Sequence, residues 1–138
     1  MDSLIDVAIS SEGIEYDMAK LLVFIYKDKY GYEPNKKKWY LRNDNNEIDL
    51  NSNFIIIRDL RKDLSENLCK KFMERRIYYN NMMITTSDEG QKEVYSRKAC
   101  AASKISLKLK QDGYKSRILK ELSYILIWPE NDIKIRIL

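Results

Sequence analysis

Apolar side chains recur every three or four residues in four stretches of the chain, which is the spacing of one face of an α-helix. The pattern predicts helices at 15–30, 54–79, 87–110 and 116–127. The first is expected to end before Gly31, a common stop residue. The longest has one apolar face, formed by Ile57, Leu60, Leu64, Leu68 and Phe72.

Two short runs of aromatic and branched residues lie between the first two predicted helices, at 38–42 and 47–50. The turn-forming run at 43–46 separates them, which is typical of a β-hairpin. The segment at 133–137 alternates apolar and charged residues, which indicates an extended strand.

The pattern as a whole predicts a mainly α protein. We expect a single helical domain of about four helices, with a small β-hairpin after the first helix and a short extended C-terminal tail. The expected divisions are an acidic leader at 1–14, the helical domain at 15–128 and the tail at 129–138. A length of 138 residues suits one domain that buries an apolar core.

The composition excludes several kinds of enzyme. The chain has no histidine, so it cannot build a Ser-His-Asp triad, a Cys-His pair or an imidazole-ligated metal site. None of its four glycines is followed by lysine, so a Walker A loop is absent, as is a GxGxxG fingerprint. Cys69 and Cys100 are too far apart in sequence for a CxxC pair. We therefore expect a protein without catalytic residues, metal or cofactor.

Three acids near the predicted hairpin, Asp44, Glu47 and Asp49, raise one alternative, an enzyme that uses carboxylates alone. The segment lacks the glycine and the carboxylate spacing of an EF-hand loop, which argues against calcium. Asp and Asn in such a run commonly form turns.

The apolar pattern does not indicate a membrane protein. The longest apolar stretches, 21–26 and 122–128, are too short to cross a bilayer. The acidic N-terminus lacks the basic region of a secretory signal, and two unpaired cysteines suit a reducing compartment. We expect an intracellular protein.

The first candidate binding site combines cations with aromatic rings. Lys36, Lys37 and Lys38 directly precede Trp39 and Tyr40. Single-stranded nucleic acids bind to such sets, because bases stack on rings while cations follow the phosphates. In the alternative interpretation the two rings pack the hairpin onto the first helix and the lysines are only solvated.

The second candidate is a basic stripe on the third predicted helix. Nine bases and two acids lie between Lys92 and Lys120. Arg97, Lys104 and Lys108 share one stripe of that helix, as weak binding to DNA or RNA phosphates requires. The alternative is a solubilising helix face.

The order of several motifs resembles a known module. They are DMAKL at 17–21, YKDKY at 26–30, KWY at 38–40, IRDL at 57–60 and KSRILKEL at 115–122. Residues 15–128 resemble the domain that precedes the helicase core in the poxvirus-type primase-helicases of nucleocytoplasmic large DNA viruses, which phage and plasmid relatives share. That family usually places a tryptophan on the second hairpin strand, where this chain has EIDL at 47–50.

The resemblance implies a helical domain between an archaeo-eukaryotic-type primase and a superfamily-three helicase, where it helps to assemble the helicase ring and engages DNA. The sequence motifs of the primase and of the helicase are both absent from this chain, so no catalytic residue of the family carries over. The segment after Trp128 does not run into a helicase sequence, which favours a free-standing protein. The implied partners are single-stranded or forked DNA, helicase or primase subunits and further copies of the chain, in the host cytoplasm (the viral factory) or the nucleus.

A viral protein-interaction module with no nucleic-acid function is the main rival. The acidic leader and the run Met82-Met83-Ile84 would then form the contact surface. Methionine-rich surfaces suit adaptable contacts.

Overall fold

The computed structural model describes residues 1–42, 47–49, 52–127 and 134–136. The helices are α1 (Asp2–Ser10), α2 (Glu15–Tyr26), α3 (Asn53–Asp63), α4 (Cys69–Thr85), α5 (Glu89–Lys108) and α6 (Asp112–Ile125). A π-helical turn, Leu64–Leu68, joins α3 to α4 without a break. The strands are β1 (Tyr30–Glu33), β2 (Lys38–Arg42), β3 (Glu47–Asp49) and β4 (Lys134–Arg136). The predicted mainly α fold with a β-hairpin after the first predicted helix is confirmed.

The four strands form one sheet in the order β1-β2-β3-β4. The pairs β1–β2 and β2–β3 are antiparallel, and β4 adds in parallel to β3. The predicted hairpin corresponds to β2 and β3, while its turn at 43–46 lies outside the described residues. Strand β1 is an addition to the prediction, because α2 ends at Tyr26 and Tyr30 pairs with Leu41 of β2 instead of extending the helix.

The acidic N-terminus forms α1 and packs into the core. Ile5, Ala8 and Ile9 lie three and four residues apart and are buried against the other helices. The carboxylate of Asp6 accepts two hydrogen bonds from Arg75 of α4, at 2.9 and 2.7 Å. Because acids interrupt the apolar pattern of this segment, the sequence predicts only an acidic leader at 1–14 and not a short amphipathic helix.

The rod formed by α3, the π-helical turn and α4 carries the centre of the core. Leu60, Leu64, Leu68 and Phe72 are fully buried, as their spacing predicted. The side chain of Asn53 fixes the start of α3 to the sheet, because its Oδ1 accepts a hydrogen bond from the Trp39 N–H at 2.7 Å.

Two hydrogen bonds fix the rod where its helical geometry changes. The Asp63 carboxylate, just before the π-helical turn, accepts a 2.7 Å hydrogen bond from the Tyr26 hydroxyl and one of 2.5 Å from the Asn67 amide. Burial and the neighbouring Asp63 carboxylate raise the pKa of Tyr26, so its hydroxyl remains a donor.

Helices α5 and α6 close the core. Asp88 caps α5, since its carboxylate accepts hydrogen bonds from the Gly90 and Gln91 N–H groups. Helix α6 packs along α2, and its last turn meets the sheet where the Leu126 carbonyl accepts a 2.9 Å hydrogen bond from the Tyr32 N–H. Within the described ranges, no helix has the length and apolar character needed to cross a membrane.

Candidate nucleic-acid interface

The turn between β1 and β2 displays three of the predicted cations. Lys36, Lys37 and Lys38 are all exposed. The buried Glu33 carboxylate accepts hydrogen bonds from the backbone N–H groups of Asn35, at 3.0 Å, and Lys36, at 2.6 Å. Lys37 reverses the chain with a left-handed φ of 54°. The three ammonium groups are therefore presented by a turn whose backbone is fixed by a charge-assisted pair of hydrogen bonds.

The two aromatic residues predicted to accompany these lysines are buried. Trp39 is 4% exposed and Tyr40 is 0% exposed. Trp39 packs edge-on against Tyr32, with 5.1 Å between ring centroids, and the Tyr40 ring covers Gly31 of β1. A base stacks only on an accessible ring face. The stacking role predicted for Trp39 and Tyr40 is therefore wrong: Trp39 packs into the core, and Tyr40 packs against the neighbouring strand of the hairpin.

The three cations predicted on α5 come together around one cleft. Arg97, Lys104 and Lys108 line a cavity of about 250 Å³ between α5 and the turn that joins α1 to α2. Glu12 of that turn also lines it, as does the exposed Cys100. We call Arg97, Lys104 and Lys108 the α5 stripe. The fold thus turns a pattern on one helix into a concave basic surface.

Two cations of the α5 stripe, Arg97 and Lys108, make only weak contacts with their neighbours. Arg97 pairs with Glu93 at 3.1 Å, but both side chains are largely exposed, at 73% and 70%. Lys108 Nζ donates to the Glu12 carbonyl at 3.4 Å and lies 4.6 Å from the centre of the Tyr114 ring. An exposed ion pair such as Arg97–Glu93 contributes less than about 1 kcal/mol, and the 3.4 Å hydrogen bond of Lys108 is long. A phosphate can therefore compete for these cations.

A second cleft extends the first towards the start of α5. It has a volume of about 260 Å³ and shares Arg97 and Glu12 with its neighbour. Ile9 and Val94 add apolar lining, and Lys98 adds a cation that is absent from the predicted site. The sequence could have indicated Lys98 only as one of the nine bases between Lys92 and Lys120, because the residue next to Arg97 lies about 100° around the helix from the stripe. It could not have indicated the opposite wall, because that wall depends on the packing of α1.

The fold leaves the two predicted sets of cations apart, at the two ends of α6. The α5 stripe reaches the first turn of α6, where Lys108 covers Tyr114. The hairpin reaches the last turn, where Tyr32 bonds to Leu126. Tyr114 and Leu126, at these two ends, are about 18 Å apart along the helix axis, since an α-helix rises about 1.5 Å per residue. One ligand that contacts both sets must therefore span a distance of this order, which suits an extended strand.

The acids considered for metal binding do not form a described site. Asp44 lies outside the described residues, and Glu47 and Asp49 belong to β3. In the part of the chain that the structure covers, no three Cys, Asp or Glu residues are grouped in a way that could hold a metal ion.

No known family model matches the chain, and no curated protein matches it.

Proposed function

We propose that the chain is a non-catalytic nucleic-acid-binding module of a DNA-replication system, and that its ligand is single-stranded or forked DNA. The observation that carries the proposal is the convergence of Arg97, Lys104 and Lys108 on one cleft. Binding to phosphates requires clustered cations and is independent of sequence, because the attraction is electrostatic and releases counterions. The fixed turn with Lys36, Lys37 and Lys38 supplies a second contact for the same strand.

The resemblance of residues 15–128 to the domain that precedes a viral helicase core supports this assignment. A module of that kind needs no active site of its own, because it acts beside a primase and a helicase. Helicase or primase subunits and further copies of the chain are the protein partners that we propose.

Fluorescence anisotropy with a labelled single-stranded oligonucleotide tests the proposal. The logarithm of the binding constant should fall linearly with the logarithm of the salt concentration, with a slope of about −0.7 for each phosphate contact on a single strand. Neutralising the α5 stripe with Arg97→Gln, Lys104→Gln and Lys108→Gln should therefore flatten the slope by about 2. Absence of binding at low salt, or an unchanged slope, would overturn the proposal.

A second candidate function, protein interaction, is favoured by an exposed apolar stripe on α4. Met73, Ile77 and Ile84 are 47%, 53% and 76% exposed, and their spacing of four and seven residues places them on one helix face. Of the run predicted for this role, Met82 and Met83 are half-buried, so Ile84 is its main exposed member. The N-terminal acids are less suited to it, since α1 is packed into the core.

Affinity capture with nuclease treatment separates the two functions. A partner that survives nuclease digestion and is lost from the double variant Ile77→Glu, Ile84→Glu favours protein interaction. A partner that is lost on nuclease digestion and retained by that variant favours nucleic-acid binding.

A further inference from the structure

A third cleft lies where the hairpin meets α3 and α6, about 320 Å³ in volume. Strands β1 and β2 contribute Tyr32 and Trp39, and α3 contributes Arg61. Helix α6 contributes Ser116 and Lys120. The volume is near the lower end of the range for small-ligand sites, about 300–1,000 Å³, and so suits one small polar molecule.

Tyr32 provides this cleft with a partly accessible ring that is held in place. It is half-buried, unlike Trp39, which supports it edge-on with 67° between the ring planes. Its backbone is fixed on both sides, by pairing with Trp39 across the hairpin and by the hydrogen bond to Leu126. A preorganised ring is what a nucleobase stacks on, because little side-chain entropy is lost on binding.

Arg61 places a guanidinium in the same cleft, where two neighbouring side chains orient it. Its Nη1 donates to the Ser116 hydroxyl and its Nη2 to the Asp112 carboxylate, both at 3.0 Å. The hydrogen bond from Arg61, with the nearby Lys115, holds the pKa of Asp112 below its ordinary value, so this anchor stays ionised. The exposed Lys120 adds a second cation to the cleft. Three of the five N–H donors of the Arg61 guanidinium are not used in these two bonds, and beside the Lys120 ammonium group they suit a phosphate.

The cleft adjoins the lysine turn. Lys38 is one residue beyond the Tyr32–Trp39 pair in the hairpin register, or about 3.3 Å along the strand. The turn that carries the exposed Lys36 and Lys37 therefore begins beside the cleft, within reach of a phosphate that flanks a bound nucleotide.

We propose that this cleft holds one nucleotide of the bound strand, with its base on Tyr32 and its phosphate beside Arg61 and Lys120. The inference rests on the proposed function, and it adds that the hairpin end of the protein recognises the base as well as the phosphate. A nucleotide in a strand and a free nucleotide share this chemistry. The flanking lysines favour the strand, because a single phosphate cannot engage both the cleft and the turn.

The test compares two strands of equal length, oligothymidylate and the same chain with abasic sugars, which carry the same phosphates. Stacking of one base on an aromatic ring predicts about 5- to 150-fold tighter binding of oligothymidylate. Tyr32→Leu, which keeps apolar bulk, should remove this preference and leave the abasic strand unaffected. Tyr32→Phe should retain the preference. If Tyr32→Leu does not fold, the comparison of the two strands with the wild-type protein still tests whether a base contributes to binding.

The possible results separate the failure of this inference from the failure of the proposed function. Equal and salt-sensitive binding of both strands would overturn the nucleotide site and leave the phosphate-binding function standing. Absence of binding to either strand would overturn both. Thymidine monophosphate that binds as tightly as the oligonucleotide would overturn the assignment of the cleft to a strand.

Discussion

Gly13 lies in the turn between α1 and α2, where both the backbone and the neighbouring side chains require glycine. Its φ is +79°, a left-handed value that side chains disfavour. A β-carbon there would lie 2.7 Å from the Tyr114 hydroxyl oxygen and 2.9 Å from Cγ1 of Ile105. The same Tyr114 hydroxyl donates a hydrogen bond to the Gly13 carbonyl. This residue therefore fixes the wall of the cleft that faces the α5 stripe.

Replacing Gly13 with alanine should lower the free energy of unfolding by about 1–3 kcal/mol, because backbone strain and the clash both oppose the added carbon. Urea titration followed by circular dichroism measures the change. Gly113→Ala is the matched control, since its added carbon meets only the flexible end of Arg117 at 3.3 Å and alanine favours the helix. A Gly13→Ala protein as stable as the Gly113→Ala protein would contradict the close contact described for this turn.

Asp6 links α1 to α4 through a network with a defined pH dependence. Burial raises the pKa of Asp6, but hydrogen bonds from Arg75 and Tyr79 outweigh it and hold the pKa below its ordinary value. A lowered carboxyl pKa stabilises the folded state above the ordinary value of 3.8, and this contribution is lost as the pH falls through the folded-state pKa. On the other side of the network, burial and the hydrogen bond to Asp6 raise the pKa of Tyr79 to about 12, so this hydroxyl remains a donor at neutral pH.

Asp6→Asn should lower the free energy of unfolding at neutral pH by about 1–3 kcal/mol, and the difference from wild type should shrink in acid. Urea unfolding at a series of pH values measures both effects. Glu93→Gln, which removes an exposed pair with Arg97, serves as the control and should change stability by less than about 1 kcal/mol. A difference between Asp6→Asn and wild type that does not depend on pH would contradict the network.

At the scale of elements, α4 carries a buried face and an exposed apolar face on the same helix. Phe72 is fully buried, whereas Ile77 is 53% exposed. Phe72→Ala should lower the free energy of unfolding by about 3–5 kcal/mol, because it leaves a cavity in the core. Ile77→Ala should change it by at most about 0.5 kcal/mol. Chemical denaturation of both variants checks which face of α4 is buried. Equal losses of unfolding free energy in the two variants would contradict this assignment.

Periodicity is sufficient to predict the long helices. The spacing of Leu60, Leu64, Leu68 and Phe72 correctly locates the core face of the rod. It does not locate α1, because the acids at positions 2 and 6 interrupt its short apolar pattern. It places Tyr30 at the end of a helix, because the spacing from Tyr26 suits either a helix or a turn into a strand.

The candidate sites are predictable only where one element carries them. The α5 stripe follows from spacing along a single helix. Trp39 and Tyr40 are both buried although they are consecutive on a strand, so both faces of β2 are covered by neighbours that the local pattern does not reveal. The cleft with Tyr32, Arg61 and Lys120 joins residues up to 88 positions apart and follows only from packing, in this case of the hairpin, α3 and α6.

At the scale of the whole molecule, the modest net charge of +4 is unevenly distributed over the folded surface. The Asp6 carboxylate is engaged by Arg75. Glu12 lies beside the α5 stripe, and Glu15 lies 4.0 Å from Arg117 of α6. These acids reduce the local positive potential, so we expect weak binding that depends strongly on salt.

Charge reversal at two places on this surface tests the central claim most directly. The triple variant Arg97→Glu, Lys104→Glu, Lys108→Glu changes the net charge by six units, from +4 to −2. A control with Lys62, Lys70 and Lys71, exposed on α3 and α4, changed to glutamate has the same net charge. Anisotropy at low salt should show that the α5 stripe variant loses affinity for single-stranded DNA at least about tenfold more than the control. Equal losses in the two variants, or DNA binding unaffected by either, would contradict the claim.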